Sequence, residues 1–267
     1  MRTTRSFVQL VAIGITLAAA TGAQTHRCMA QEVFQKFVSH VSGVSGASHS
    51  FDLFVPDRVK DAPPMPLLVA MHGAGGDGLG QIKAWLPEAR ANKIIILAPN
   101  IDNSPQAWDM LYDHPEWIRD AIDTVSQTYP VDKHRLYLWG YSAGGMFTFY
   151  FAFLESRYFA AAAVHGGVIE NFKYQMADFA VRKIPLAYYM GTWDQWWTTK
   201  QSRASRDALL SRNFEVHYVE LAHADHNFFT RSGEITADAW EFFKRHSLDD
   251  EPRFDPLDLE KIKKALR

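Results

Sequence analysis

Residues 135–154 read R-L-Y-L-W-G-Y-S-A-G-G-M-F-T-F-Y-F-A-F-L, and this stretch decides the fold. Arg135 to Trp139 gives a short strand, and Met146 to Leu154 is so apolar that it reads as a helix buried on all sides. Gly140 to Gly145 leaves room only for a tight turn between them. A strand that passes straight into a buried helix is the start of a βαβ unit, so the chain should continue as a mostly parallel sheet.

Working outward, the same alternation recurs. Leu67–Met71 and Ile94–Ala98 are continuous apolar runs, as strands covered on both faces require. His49–Val55 alternates polar and apolar residues and stops at Pro56, which reads as an edge strand. Pro115–Tyr129 carries Trp117, Ile118, Ala121, Ile122 and Val125 at helical spacing, with Pro130 closing it. Phe159–Val164, Pro185–Met190 and Glu215–Leu221 supply three more strands, and Ser202–Arg212 and Thr236–Arg245 read as helices. The expected fold is α/β, a mostly parallel central sheet with helices on both faces.

Gly140-Tyr141-Ser142-Ala143-Gly144 has the form G-x-S-x-G in the position that form requires, after a strand and before a helix. The turn strains the serine backbone and brings helix against strand, so the residues two before and two after it must be small. It lifts the Ser142 hydroxyl to the carboxyl edge of the sheet, with the helix N-terminus aimed at it. A hydroxyl attacks poorly until a base takes its proton, so a histidine and an orienting carboxylate are needed. In chain order Ser, acid, His, the acid is Asp194, just past the strand ending at Met190, with Asp178 the weaker rival. The base is sought in Ala222-His223-Ala224-Asp225-His226 after the last strand; His226, deeper in the loop, is favoured over His223. His165 is a third choice that breaks the chain order.

A second glycine loop, His72-Gly73-Ala74-Gly75-Gly76, follows the strand Leu67–Met71. Its short side chains let a backbone N–H approach a substrate oxygen, which gives Ala143 and Ala74 as oxyanion donors, with Gly75 in reserve. No G-K-[ST] ending or G-x-G-x-x-G run supports a phosphate cradle instead. His223, Asp225 and His226 lack the H-E-x-x-H spacing of a metal site, so neither metal nor cofactor is expected. Trp193, Trp196 and Trp197 crowd the proposed acid and Trp108 follows the strand Ile94–Ala98; Trp108, Trp193 and Trp197 are the candidates for a pocket wall.

The set H-G-A-G-G (72–76), A-P-N (98–100), G-Y-S-A-G-G (140–145), G-T-W-D (191–194) and H-A-D-H-N (223–227) resembles the α/β-hydrolase esterases grouped with polyhydroxybutyrate depolymerases and feruloyl esterases. The resemblance implies the α/β-hydrolase fold and a serine esterase. It puts Ser142, Asp194 and His226 in the nucleophile, acid and base positions. A serine peptidase or amidase, and a non-catalytic binding protein on the same fold, are the competing readings.

Composition sets the remaining bounds. With 47% hydrophobic residues and a net charge of −2 over 267 residues, one large domain is expected and nucleic acid is not an expected partner. The expected partner is an ester substrate, small or oligomeric, and the oligomeric state is left open. Arg2 and Arg5 ahead of the apolar run Phe7–Ala20, ending in Thr21, Gly22 and Ala23, have the layout of a secretory signal peptide, an uncleaved anchor being the alternative. The expected organisation is a signal peptide at 1–23, a lead-in at 24–48, a catalytic domain at 49–246 and a charged tail at 247–267. Leu257, Leu259, Ile262 and Leu266 could form the stripe of a short helix in that tail. Export to the periplasm or the medium, without membrane association after cleavage, follows from the first segment. The lone Cys28 rules out an intramolecular disulfide.

Overall fold

The computed structural model describes residues 32–40, 48–56, 62–101, 108, 113, 115–255 and 260. The export segment at 1–23, Cys28 and the apolar stripe of the tail lie outside the described residues. Eight strands form one sheet: β1 (Val33–His40), β2 (Ser48–Val55), β3 (Met65–Met71), β4 (Ile95–Pro99), β5 (Val131–Tyr141), β6 (Ala161–His165), β7 (Leu186–Gly191) and β8 (Val216–Leu221). Their order is β1-β2-β4-β3-β5-β6-β7-β8. From β4 to β8 every pairing is parallel, while β1, β2 and β4 pair antiparallel.

The parallel strands are buried on both faces, and their side chains divide by a period of two into two separate cores. On one face Leu67, Val69, Ile95, Leu97, Leu136, Leu138, Val164 and Tyr188 pack beneath α2 (Pro115–Thr128), α3 (Ala143–Leu154) and α4 (Thr199–Leu210). On the other, Leu68, Ala70, Ile96, Tyr137, Trp139 and Tyr189 pack beneath α1 (Gly78–Asn92) and α5 (Ser232–Phe243). The unbroken apolar runs of β3 and β4 thus follow from packing on both faces. Helix α2 buries the predicted stripe, Trp117, Ile118, Ala121, Ile122 and Val125, and α3 is buried along almost its whole length.

One expectation is corrected. The segment His49–Val55 is not at the edge of the sheet, because β1 pairs along its whole length and takes that place. Pro56 ends β2 without marking an edge. Beyond α5, residues 246–255 dock with neither helix nor strand. Leu248 exchanges hydrogen bonds with His134 (2.9 and 2.8 Å), and Asp255 pairs with Arg157. No helix among the described residues is long and apolar enough to cross a membrane.

Candidate active site

The carboxyl ends of β3, β5, β7 and β8 gather the residues singled out from the sequence. At the end of β5, Ser142 has φ 56° and ψ −119°, a conformation that few side-chain-bearing residues adopt. The strain is imposed by its neighbours. A Cβ on Gly140 would lie 2.3 Å from the Gly144 carbonyl oxygen, and one on Gly144 would lie 2.5 Å from that of His72. Ser142 is the N-cap of α3, yet its hydroxyl makes no capping bond. It is left free to meet an imidazole.

That imidazole is His226: its Nε2 is 2.8 Å from Ser142 Oγ, and its Nδ1 is 2.7 Å from Asp194 Oδ2. Two loops have to clasp for this to happen. The Thr192 and Trp193 N–H groups donate to the Leu221 and Ala224 carbonyls (3.0 and 2.9 Å), and the His223 N–H donates to Thr192 Oγ1 (2.8 Å). Gly191 permits the approach, since a Cβ there would lie 2.4 Å from Ala224 O. Asp194 Oδ1 accepts the N–H groups of Trp196 and Trp197 (2.8 and 2.9 Å), an Asx-type turn that leads into Thr198, the capping-box residue of α4. One carboxylate therefore builds its own loop and holds the histidine.

Burial by itself would raise the Asp194 carboxyl, but the His226 hydrogen bond and the two backbone N–H groups together hold it below the ordinary carboxylate range. Asp194 thus presents a negative charge to His226 Nδ1, which favours the tautomer with the proton on Nδ1 and leaves Nε2 free to accept the Ser142 proton.

The rivals lie elsewhere. Asp178, on the 3-10 helix Asn171–Phe179, pairs with Arg212 (2.9 Å). His223 turns its ring onto Trp193, with centroids 4.7 Å apart. His165 ends β6 and packs between Tyr141 and Phe228; burial, reinforced by the nearby His226, pushes it down to about 3, so it stays neutral. Its carbonyl accepts the Ser142 N–H (2.9 Å).

Ala143 is the first residue of α3, where N–H groups have no partner within the helix. Gly73 lies against the serine, a Cβ there falling 3.1 Å from Ser142 Cβ. The four tryptophans separate. Trp108 is buried, stacks on Phe147 and donates Nε1–H to the His72 carbonyl (2.8 Å), so it supports the glycine loop from beneath. Trp197 is half-buried against the core, whereas Trp193 and Trp196 stand 65% and 70% exposed, with Trp196 6.3 Å from the His226 ring.

Sequence reasoning missed Tyr141, Gly166 and Phe229. The Tyr141 ring lies 5.4 Å from that of His226, and a Cβ on Gly166, which has φ 62°, would sit 3.1 Å from His226 Cε1. Tyr141 and Phe229 also line a cavity of about 350 Å³ bounded by the glycine loop, Gln81 and Asn227. Tyr141 occupies a free position of the serine motif, and Gly166 belongs to a His-Gly-Gly run; neither pattern says what it touches. No group of acidic, His and Cys residues able to hold a metal occurs among the described residues.

Residues 100–246, more than half of the chain, match the dienelactone hydrolase family. The chain belongs to that family. Among relatives, it is similar to a bifunctional acetylxylan esterase/xylanase of Neocallimastix patriciarum, 27% identical over 163 residues, 60% of this chain and 23% of that protein. It is also similar to feruloyl esterase B of Thermothelomyces thermophilus, 33% identical over 129 residues, 43% of each chain. The chain therefore spans less than half the length of either relative. The solved S-formylglutathione hydrolase of Staphylococcus aureus superposes with a TM-score of 0.66 at 19% identity, over 80% of this chain and 99% of that one, a likeness of fold. The dienelactone hydrolase family chain thus has the α/β-hydrolase fold with helices on both faces of its sheet.

Proposed function

We propose that the protein is an exported serine esterase that hydrolyses carboxylic esters through an acyl-enzyme. The observation that carries this reading is the unbroken hydrogen-bonded chain Asp194–His226–Ser142 at the carboxyl edge of the sheet. The esterase names of the two curated relatives favour an ester over an amide.

In this reading Ser142 Oγ attacks the ester carbonyl while His226 Nε2 takes its proton. The tetrahedral oxygen carries the new negative charge and is held by the Ala143 and Ala74 N–H groups, each worth roughly 3 kcal/mol in the transition state. The imidazolium, stabilised by Asp194, then protonates the departing alcohol. Water, deprotonated by the same imidazole, attacks the acyl-serine, and the serine leaves with its proton restored. Trp196 beside His226, with Tyr141 and Phe229 lining the cavity at the glycine loop, gives the substrate apolar walls.

The test is a panel of short p-nitrophenyl esters with matching anilides, run beside a fluorophosphonate probe. Turnover of the esters above the anilides, with the label on Ser142, is expected. Absence of both turnover and label would sink the reading. Export predicts that the mature protein recovered outside the cytoplasm starts after Ala23.

A further inference from the structure

The His72 side chain is gripped at both nitrogens. Its Nε2 lies 3.3 Å from the backbone N of Ile101, and its Nδ1 lies 2.7 Å from the carbonyl oxygen of the next residue, Gly73. An amide N–H can only donate and a carbonyl can only accept, so the two partners fix one neutral tautomer, with Nε2 bare and the proton on Nδ1. The Gly73 oxygen accepts a second bond, from the Gly76 N–H (3.0 Å). The ring is buried and lies 5.1 Å from Trp108, whose indole N–H holds the carbonyl of the same histidine.

The consequence lies in the peptide between Gly73 and Ala74. It is trans, so its N–H points opposite to its C=O. Two donors that fix the Gly73 oxygen on one side thereby fix the Ala74 N–H on the other, in a loop residue whose glycine neighbours would otherwise let the peptide turn freely. We propose that His72 is a positioning residue for the reaction: by donating Nδ1–H to the Gly73 carbonyl, it aims the Ala74 N–H at the oxygen that becomes negative in the transition state. The proposal rests on the esterase reading of Ser142. His72 itself touches neither substrate nor reacting atoms.

Asparagine and glutamine divide the two functions of the ring, because the Asn amide reaches the place of Nδ1 and the Gln amide that of Nε2. His72→Asn keeps a donor for the Gly73 carbonyl and should retain kcat within about fivefold. His72→Gln loses it, and kcat should fall about 100-fold with KM nearly unchanged. A second readout reports on the oxyanion contact directly: the ratio of kcat/KM for a carboxylic ester over its thiono analogue, in which sulfur replaces the carbonyl oxygen. That ratio should hold in His72→Asn and collapse in His72→Gln. Stoichiometric fluorophosphonate labelling counts the folded sites, so a poorly folding variant is corrected for its active fraction. Should one variant fail to fold, the ratio in the other decides. Equal kcat for the two variants, or a ratio unchanged in His72→Gln, overturns the role of His72. A wild-type protein with neither turnover nor label overturns the esterase reading and this proposal together.

Discussion

Gly144 meets the backbone of His72 so closely that a Cβ would stand 2.5 Å from its carbonyl oxygen. This contact joins the serine turn to the glycine loop, the two segments that carry the candidate oxyanion donors. Gly144→Ala should force them apart, costing about 1 to 3 kcal/mol of stability. A denaturant titration beside a kcat measurement checks this. The expected outcome is a fall in kcat larger than the folded fraction explains.

Ser142 carries its strain in the backbone, at φ 56° and ψ −119°, a region open to glycine. Ser142→Ala and Ser142→Gly should both abolish hydrolysis. At an N-cap glycine is already tolerated better than alanine, by about 1 kcal/mol. Relief of the backbone strain at this position adds to that preference, so Ser142→Gly should be the more stable of the two. Thermal melts of the two variants decide.

Asp194→Asn keeps an acceptor for the Trp196 and Trp197 N–H groups, so the loop should survive. The amide nitrogen would then face His226 Nδ1, favouring the tautomer whose proton sits on Nε2, and that nitrogen could not accept from Ser142. A loss in kcat on the order of 10⁴ is expected with an unchanged melting temperature. A loss of only a fewfold would show that His226 keeps its working tautomer without the carboxylate.

Trp108 and Trp196 should give opposite phenotypes. Trp108 is packed on Phe147 and tied to His72, so Trp108→Ala should cost about 3 to 5 kcal/mol of stability. Trp196 is 70% exposed beside His226, so Trp196→Ala should leave the melting temperature unchanged and raise KM for aryl esters about fivefold. Unfolding curves and KM values for both variants make the comparison.

The same contrast marks what could be read from the sequence. Strands such as Leu67–Met71 and Ile94–Ala98 are legible because burial on both faces demands an unbroken apolar run. Helix α2 is legible because one buried face repeats at helical spacing. Helix α1 is not, since Gly78, Gly80 and Pro87 blur its pattern, and β1 is not, since apolar Phe34 and charged Lys36 share its exposed face. Ser142, Asp194 and His226 stand out because each sits in a turn at a strand end. The depth of Trp108, the nearness of Trp196 to His226 and the contact of Gly166 with it depend on loops meeting in space, and no local pattern encodes them.

Glu155 supplies a pH test away from the site. It lies buried at the end of α3; its Oε2 accepts the Asp255 N–H (2.9 Å), and its Oε1 has no partner among the described residues. Burial pushes this carboxyl up to about 8; the Asp255 N–H and Arg119 pull it down, while the Asp255 and Glu116 charges add to the rise. Between its ordinary 4.5 and about 8 the folded protein keeps a proton that the unfolded chain has released. Its contribution is therefore fully present below the lower value and is lost as pH rises through the upper one. Glu155→Gln cannot exchange that proton and still offers an oxygen to Asp255. The stability of the variant relative to wild type should climb steadily across this window and level off above it. Chemical denaturation at a series of pH values measures the difference, and a flat difference would mean that Glu155 is ionised in the folded protein.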